Sequence, residues 1–404
     1  MNELNNNSEI PRLRAFSFTI FGTSVLVASY FPLFYAGLGF SKSQIGLLYA
    51  LGPMISLVAN LLWSVASDKF RTIKKIMIIL LLGEIVMSAV LSVSTSFSVI
   101  VLMITIFYFF FYPVFPLSDT LAINAAKRAN KNFITIRIFG SSGYAFFALF
   151  IGYLLSFLGS SRTMWVTIGI AAIALLITLF MRDQNSPVAK MDMSGIWGIL
   201  KQKELLWFFG CVFSLAIAVR MNDAFLTVSL NDLGATEDMI GWAQLASALS
   251  EIPIFILLSI YGEKIKELPL LVFASLMFAT RFLLVSLADS AFEIILVQML
   301  HSLSFGVFYV TSIRMLTRLI PDHYRATGMA LFTIVWSSAS GLLSGTIGGI
   351  AFEQFGREQF YLIAMTFALV ASAGFASRYL IRGPRPQIAA TPSVHDVERK
   401  ELSD

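Results

Sequence analysis

The chain has 404 residues, of which 57% are hydrophobic and 13% charged, with a net charge of +5 and a mean hydropathy of +0.78. Soluble domains carry about 25% charged residues, so this composition cannot cover a water-facing surface and excludes a soluble protein. The single cysteine, Cys211, excludes an intramolecular disulfide and a cysteine-rich metal site.

Twelve apolar segments follow one another, each long enough to span a bilayer as a helix: roughly 14–37, 43–66, 75–95, 98–121, 134–158, 163–181, 205–230, 238–261, 268–288, 291–316, 325–351 and 359–381. A barrel would give short alternating segments instead. The first segment follows the polar stretch MNELNNNSEIPRLR, with no small-residue cleavage site at its end, so it is read as a retained span. Of the 29 Lys and Arg, only Lys42, Arg162 and Arg357 fall on one side of the array, four lie within segments, and the rest fall on the other side. The positive-inside rule then places both termini in the cytoplasm of a cell that carries the chain in its inner or plasma membrane. Pro113 and Pro116 are expected to bend the fourth segment. The polar, Pro-containing tail 383–404 is expected to be disordered.

The longest loop, 183–204, separates six segments from six, giving an amino-terminal bundle over 1–182 and a carboxy-terminal bundle over 205–382. A shift of 195 residues lays one half on the other. Ile45-Gly46 falls on Ile240-Gly241, Leu38-Gly39 on Leu233-Gly234, and Asp68-Lys69 on Glu263-Lys264. Near a shift of 197, Gly152 and Gly159 meet Gly349 and Gly356. Parallel repeats of six helices are the architecture of major facilitator transporters, with substrate held between the halves at mid-membrane. The expected fold is thus an all-α membrane protein of twelve transmembrane helices in two six-helix bundles. No GxxxxGK[ST] stretch, HExxH stretch or nucleophile elbow occurs, which points away from a nucleotide motor or an enzyme and toward an ion or solute gradient as energy source.

Each ionisable group inside a span costs about 2.5–3.5 kcal/mol on insertion scales. The few present are Glu84, Asp119, Arg137, Arg220, Asp223, Glu251, Arg281, His301 and Arg314. Both signs occur, as neutralising pairs between helices require. Arg220 and Asp223 share a helix face at i,i+3. Asp119 and Arg137 lie near the cytoplasmic ends of their spans. Glu251, Arg281 and His301 occupy three consecutive segments at compatible depth, an arrangement suited to a proton carrier. In ITIRIFGSSGYAFF (134–147), Gly140, Ser141 and Gly143 permit close helix approach. Arg137 and Tyr144, two turns apart, share a face that suits a hydroxyl-rich or carboxylate ligand. An interfacial anchor and an ordinary packing residue fit the same spacing.

These stretches resemble a known family. SYFPLF (29–34), SKSQIGLLYA (41–50), SDKF (67–70), PLSD (116–119) and RIFGSSGYA (137–145) are similar to the lactose permease group, the oligosaccharide–proton symporter branch of the major facilitators. The resemblance implies that Asp119 and Arg137 help hold substrate and that Tyr144 stacks against it. It also implies that Arg281 and His301 are the coupling pair, with Glu251 as the acid of the eighth helix. The second acid that this branch carries three residues after the His is Ser304 here, which leaves Glu251 or His301 as proton carrier. VQMLHSLSFGVFY (297–309) and EIP (251–253) look more like the sister group containing phenylpropionate permeases, a resemblance that implies an aromatic acid or nucleoside as readily as a sugar.

The expected function is proton-coupled uptake of a small polar solute (a sugar, nucleoside or aromatic acid) by alternating access. The alternative is a proton-driven exporter of apolar compounds on the same fold. Asp119, Arg137, Tyr144, Tyr30, Asp223 and Gln298 are the expected substrate residues, Glu251, Arg281 and His301 the coupling residues, and Asp68 and Lys69 the gate. No cofactor, metal or nucleic-acid partner is expected. The partners are the solute, protons and the lipid bilayer, and the chain is expected to act as a monomer.

Overall fold

A computed structural model describes residues 9–129, 133–183, 202–261, 264–320 and 325–382. The expected tail and all but the edges of the 183–204 linker lie outside the described residues. Eleven helices are long and apolar enough to cross a membrane. They are α1 (Glu9–Gly37), α2 (Lys42–Phe70), α3 (Ile73–Val93), α4 (Phe97–Arg128), α5 (Thr135–Leu158) and α6 (Ser160–Leu179). The series continues with α7 (Lys203–Asp232), α8 (Glu237–Leu258), α9 (Glu267–Leu287), α10 (Ala291–Leu319) and α11 (Thr327–Leu380). The count is one below the sequence reading because the last two segments run on as one helical stretch. Its single non-helical residue is Gly356, at φ 76° and ψ 176°.

Local chemistry sets where these helices start and stop. Ser41 begins α2 with a capping box: its hydroxyl accepts from Gln44 N–H, and the Gln44 side chain accepts from Ser41 N–H at 3.0 Å, which satisfies two end donors reciprocally. Thr72 caps α3 and Ser290 caps α10 in the same manner, through Lys75 and Glu293 N–H. Pro113, which has no N–H to give, marks the turn that divides α4 into Phe97–Phe111 and Val114–Arg128. Gly39 and Gly234, equivalent at the shift of 195, both take positive φ (82° and 77°) just beyond α1 and α7. Gly159 and Gly356, equivalent at 197, do so at 82° and 76°. Glycine alone enters this region without cost, so the sequence repeat carries a repeat of backbone geometry.

Packing follows the same division. α1 lies against α5 and α6, and α3 against α4 and α6. In the later part α11 packs on α7 and α9, while α8 and α9 both contact α10. One apolar cluster is built wholly from residues 10–181, centred on Phe16, Met77, Leu80 and Leu121. The most extensive packing between the halves is of α2 with α11 and of α5 with α8; α1 and α7 also meet. Small residues make this possible, since backbones meet where side chains are absent. A Cβ at Gly46 of α2 would strike the carbonyl oxygen of Gly345, and one at Gly241 of α8 would lie 2.5 Å from that of Ala148. At Gly152 and Gly349 it would come within 2.9 Å of Glu237 O and 3.0 Å of Ser43 Cα. Gly46 and Gly241 are equivalent, as are Gly152 and Gly349, and their partner helices begin at the equivalent Lys42 and Glu237.

The joined region sits toward one end. There Lys42 Nζ meets Asp232 at 2.6 Å, Ser43 N–H donates to Glu353 at 2.9 Å, and Trp242 donates to Tyr153 at 3.3 Å. This is called the Lys42 end. At the opposite, Glu9 end, ion pairs form inside each half: Arg128 pairs with Glu9 at 3.7 Å, while Arg314 and Arg318 bind Glu267 at 3.0 and 2.6 Å. Towards that end the side chains of Asp119 and Arg137 are 46% and 40% exposed.

Candidate functional site

A largely buried polar chain runs across α8, α9 and α10. Arg281 is 2% exposed and Gln298 fully buried. One terminal nitrogen of Arg281 binds the Gln298 side-chain oxygen; the other lies 2.9 Å from His301 Nδ1. His301 Nε2 is 3.1 Å from Glu251 Oε1. A guanidinium only donates, so Nδ1 must accept and the ring proton sits on Nε2, donating to Glu251. This assigns the neutral Nε2–H tautomer from its partners. Gln298 also donates to Ile294 O at 3.2 Å, and Ser247 donates to Gln298 at 3.5 Å. Buried charges persist only when paired and hydrogen-bonded; Arg281 is hydrogen-bonded to Gln298 and His301 and lies within electrostatic reach of the Asp223 carboxylate.

A second cluster stands on α7. Arg220 and Asp223 pair at 2.9 Å on one helix face. Arg220 Nε also donates to Trp336 O at 3.2 Å, and its guanidinium lies 5.5 Å from that ring's centroid. The carbonyl is available because residues Ile334–Ala339 form a π turn, which breaks the i→i−4 ladder locally. A second π turn, Ser302–Gly306, directly follows His301. It sets His301, Phe305 and Tyr309 in a stacked column with centroid spacings of 5.1 and 5.6 Å. Phe305 in turn lies 6.2 Å from Trp336, so aromatic plates connect the two polar clusters. Asp223 is within electrostatic reach of both Arg281 and His301.

The first half contributes from the opposite wall. Arg137 faces Asp119 at 4.0 Å and lies 4.6 Å over the Phe21 ring. One of its terminal nitrogens is buried without a hydrogen-bond partner among the described residues. Tyr144 donates to Gln244 of α8 at 3.2 Å and is within electrostatic reach of Asp223 and Glu251. Tyr49 of α2 sits beside the Arg220 guanidinium. The arrangement offers carboxylates, a guanidinium with a donor unmatched among the described residues, amides and aromatic faces contributed by both halves. That set can grip a polar ring compound from several sides.

Comparison with known proteins places the fold. A family model described as "MFS_1 like family" matches residues 10–363. The chain belongs to the MFS_1-like family. It is similar to YegT of Escherichia coli (strain K12), a proposed nucleoside transporter, at 24% identity over 81% of each chain. It is also similar to the maltose permease of Geobacillus stearothermophilus at 23% identity, covering 80% of this chain and 82% of that one. The crystal structure of the nucleoside transporter NupG superposes with a TM-score of 0.80 at 17% identity, over 92% of this chain and 98% of that one. This MFS_1-like protein is accordingly a multi-pass membrane transporter and not an enzyme.

Within the MFS_1-like chain, Glu251, Arg281, His301 and Gln298 form one hydrogen-bonded group, and Asp223 and Tyr144 stand beside it. Asp119 and Arg137 pair with each other nearer the Glu9 end. Tyr30 makes its hydrogen bonds apart from this group. Its ring is buried at the Lys42 end, where its hydroxyl donates to the carbonyls of Ala148 and Glu237 at 3.3 and 3.2 Å. Asp68 and Lys69 occupy the last turn of α2 at the Glu9 end, before Arg71 closes the helix at φ 51°. Sequence reasoning assigned no role to Arg220, Tyr49, Gln244, Phe305 or Trp336. The i,i+3 spacing marked Arg220. The aromatic residues carried no mark, because Phe and Trp in an apolar run look like packing.

Proposed function

We propose that the chain is a proton-coupled symporter that takes up a small polar ring compound, of the nucleoside or sugar class, by alternating access. The observation that carries this reading is the hydrogen-bonded Glu251–His301–Arg281–Gln298 chain inside the membrane-spanning helices. The names of the relatives narrow the solute class, and the mixture of amides, carboxylates and aromatic plates is consistent with both members of it. In this reading 1–182 and 205–382 are two rocking bundles and the Gly356 break separates an eleventh from a twelfth span. A continuous 54-residue helix would be about 80 Å long, far beyond a hydrocarbon core of about 30 Å. Both termini face the cytoplasm of the cell membrane, the protein acts as a monomer, and a cleft between the halves is open inward.

The chemistry of coupling follows from the donors and acceptors. With one proton on the His301–Glu251 pair, Nδ1 accepts from Arg281 and Nε2 donates to the carboxylate. A further proton on His301 would turn Nδ1 into a donor facing a guanidinium that has no acceptor. A further proton on Glu251 would weaken the acceptor that orients the ring. Either event loosens Arg281 from His301 and is felt at Gln298 and Asp223. Solute bound between Arg137, Tyr144 and the Arg220–Asp223 pair would therefore sense whether the proton is loaded.

Purified protein in liposomes tests the reading, with labelled uridine and labelled maltose as probes and an imposed proton gradient, acidic outside. Accumulation of at least one probe above its external level, abolished by a proton ionophore, is the expected result. Equilibration of a probe at a rate indifferent to the gradient would refute coupling.

A further inference from the structure

The repeat that relates Gly46 to Gly241 also relates Tyr49 to Gln244, at the same shift of 195. In each helix the second residue follows the glycine by three positions and shares its face. The glycine brings the helix against its partner in the other half: Gly46 against Gly345 and Gly241 against Ala148. One turn deeper, the side chain then reaches across the seam. Tyr49 of α2 lies beside Arg220 of α7, and Gln244 of α8 receives a hydrogen bond from Tyr144 of α5 at 3.2 Å. Each bridge joins one half to the other and ends on a residue beside the central cluster.

We propose that Tyr49 and Gln244 are an equivalent pair of positioning residues, which close the cavity towards the Lys42 end and hold Arg220 and Tyr144 in place while it is closed. The proposal rests on the alternating-access reading above. Both bridges span the seam that must part when the Lys42 end opens, so removing either one favours the opened form. The glycines alone cannot do this, because a backbone contact is indifferent to what fills the cavity. A bridge that ends on Arg220 or Tyr144 is not indifferent, since those groups face the cleft.

The test is a distance measurement with paired spin labels at Ser161 and Asn231, both exposed residues on opposite halves at the Lys42 end, in full-length protein carrying Cys211→Ser. Tyr49→Phe and Gln244→Leu keep shape and remove the bridging groups. Each is expected to raise the ratio of long to short distances roughly three- to tenfold, the range for one net hydrogen bond. Leu47→Ala and Leu249→Ala, exposed neighbours on the same helices, are expected to leave the ratio unchanged. Unchanged distributions in both bridging variants, or a response in one alone, would overturn the pairing. The parent protein is measured in acidic and in alkaline buffer as well. If its ratio responds to pH while the bridging variants match it, the pairing fails and alternating access stands; if no sample shows a second distance, both fail.

Discussion

His301 has two ring nitrogens and two partners of opposite kind, and this decides what each neighbour can be replaced with. Glu251→Gln keeps an acceptor oxygen for Nε2–H but removes the carboxylate. Under the proposed coupling, gradient-driven accumulation of uridine or maltose falls to the equilibrium level while exchange of labelled for unlabelled solute persists. Loss of both activities together would show that Glu251 serves binding or folding instead. Arg281 is a different case, because Gln298 and His301 are both left unmatched without it. Leaving a buried polar group unsatisfied costs about 1–3 kcal/mol. Arg281→Ala is therefore expected to lower the unfolding temperature by several degrees, read by a thiol-reactive dye reaching buried Cys211. Arg281→Lys should not restore it, since an ammonium cannot span both partners as the planar fork does. Arg137 has a buried terminal nitrogen with no partner among the described residues, so its loss should fall on solute affinity. Arg137→Ala is expected to raise KM for the transported probe at least about tenfold, the size of a charge-assisted hydrogen bond, with the unfolding temperature little changed. A normal KM would assign Arg137 to anchoring.

At the scale of helices, the seam between halves depends on glycines whose missing side chains face backbone. Gly46→Val and Gly241→Val place carbon where the Gly345 and Ala148 carbonyls stand, and a main chain cannot yield as a flexible side chain does. Both substitutions should hold the Lys42 end apart, seen as loss of solute exchange with the protein still folded. The Lys42–Asp232 pair lies at the same end but is 27% and 36% exposed. Exposed pairs are worth about 0–1 kcal/mol, so Lys42→Ala should change uptake by less than about fivefold. What the sequence disclosed at this scale was uneven. Gly46, Gly152, Gly241 and Gly349 stood out because one shift aligned them. Glu251, Arg281 and His301 stood out because charge is costly in lipid. The π turns at 302–306 and 334–339 left no trace, since they arise where helices pack and not from any turn-forming residue. Without them Phe305 and Trp336 read as ordinary apolar residues, although they link the two polar clusters. Tyr30 was read from its neighbours in SYFPLF, and sequence could not show that its hydroxyl would be taken up by two carbonyls, Ala148 of its own half and Glu237 across the seam.

For the whole molecule, the fold was legible because a bilayer admits so few solutions. Every backbone group in hydrocarbon must be paired internally, so apolar runs of this length become helices. The counting of spans was less secure, because Gly356 permits a reversal of direction without ending the helical hydrogen-bond pattern on either side. The single seam contact zone has an energetic counterpart in the buried chain at His301. In that chain one carboxylate, Glu251, faces the one ring hydrogen of His301, and the Arg281 guanidinium holds the other end. Under the proposed coupling such an arrangement carries one proton per turnover. The proton-motive force, membrane potential and pH difference together, then sets a ceiling on the work available: about 2.3 kcal/mol for each ~100 mV, or roughly a fiftyfold concentration ratio of a neutral solute. A cell relying on this carrier could harvest a scarce nutrient but could not exhaust it from its surroundings.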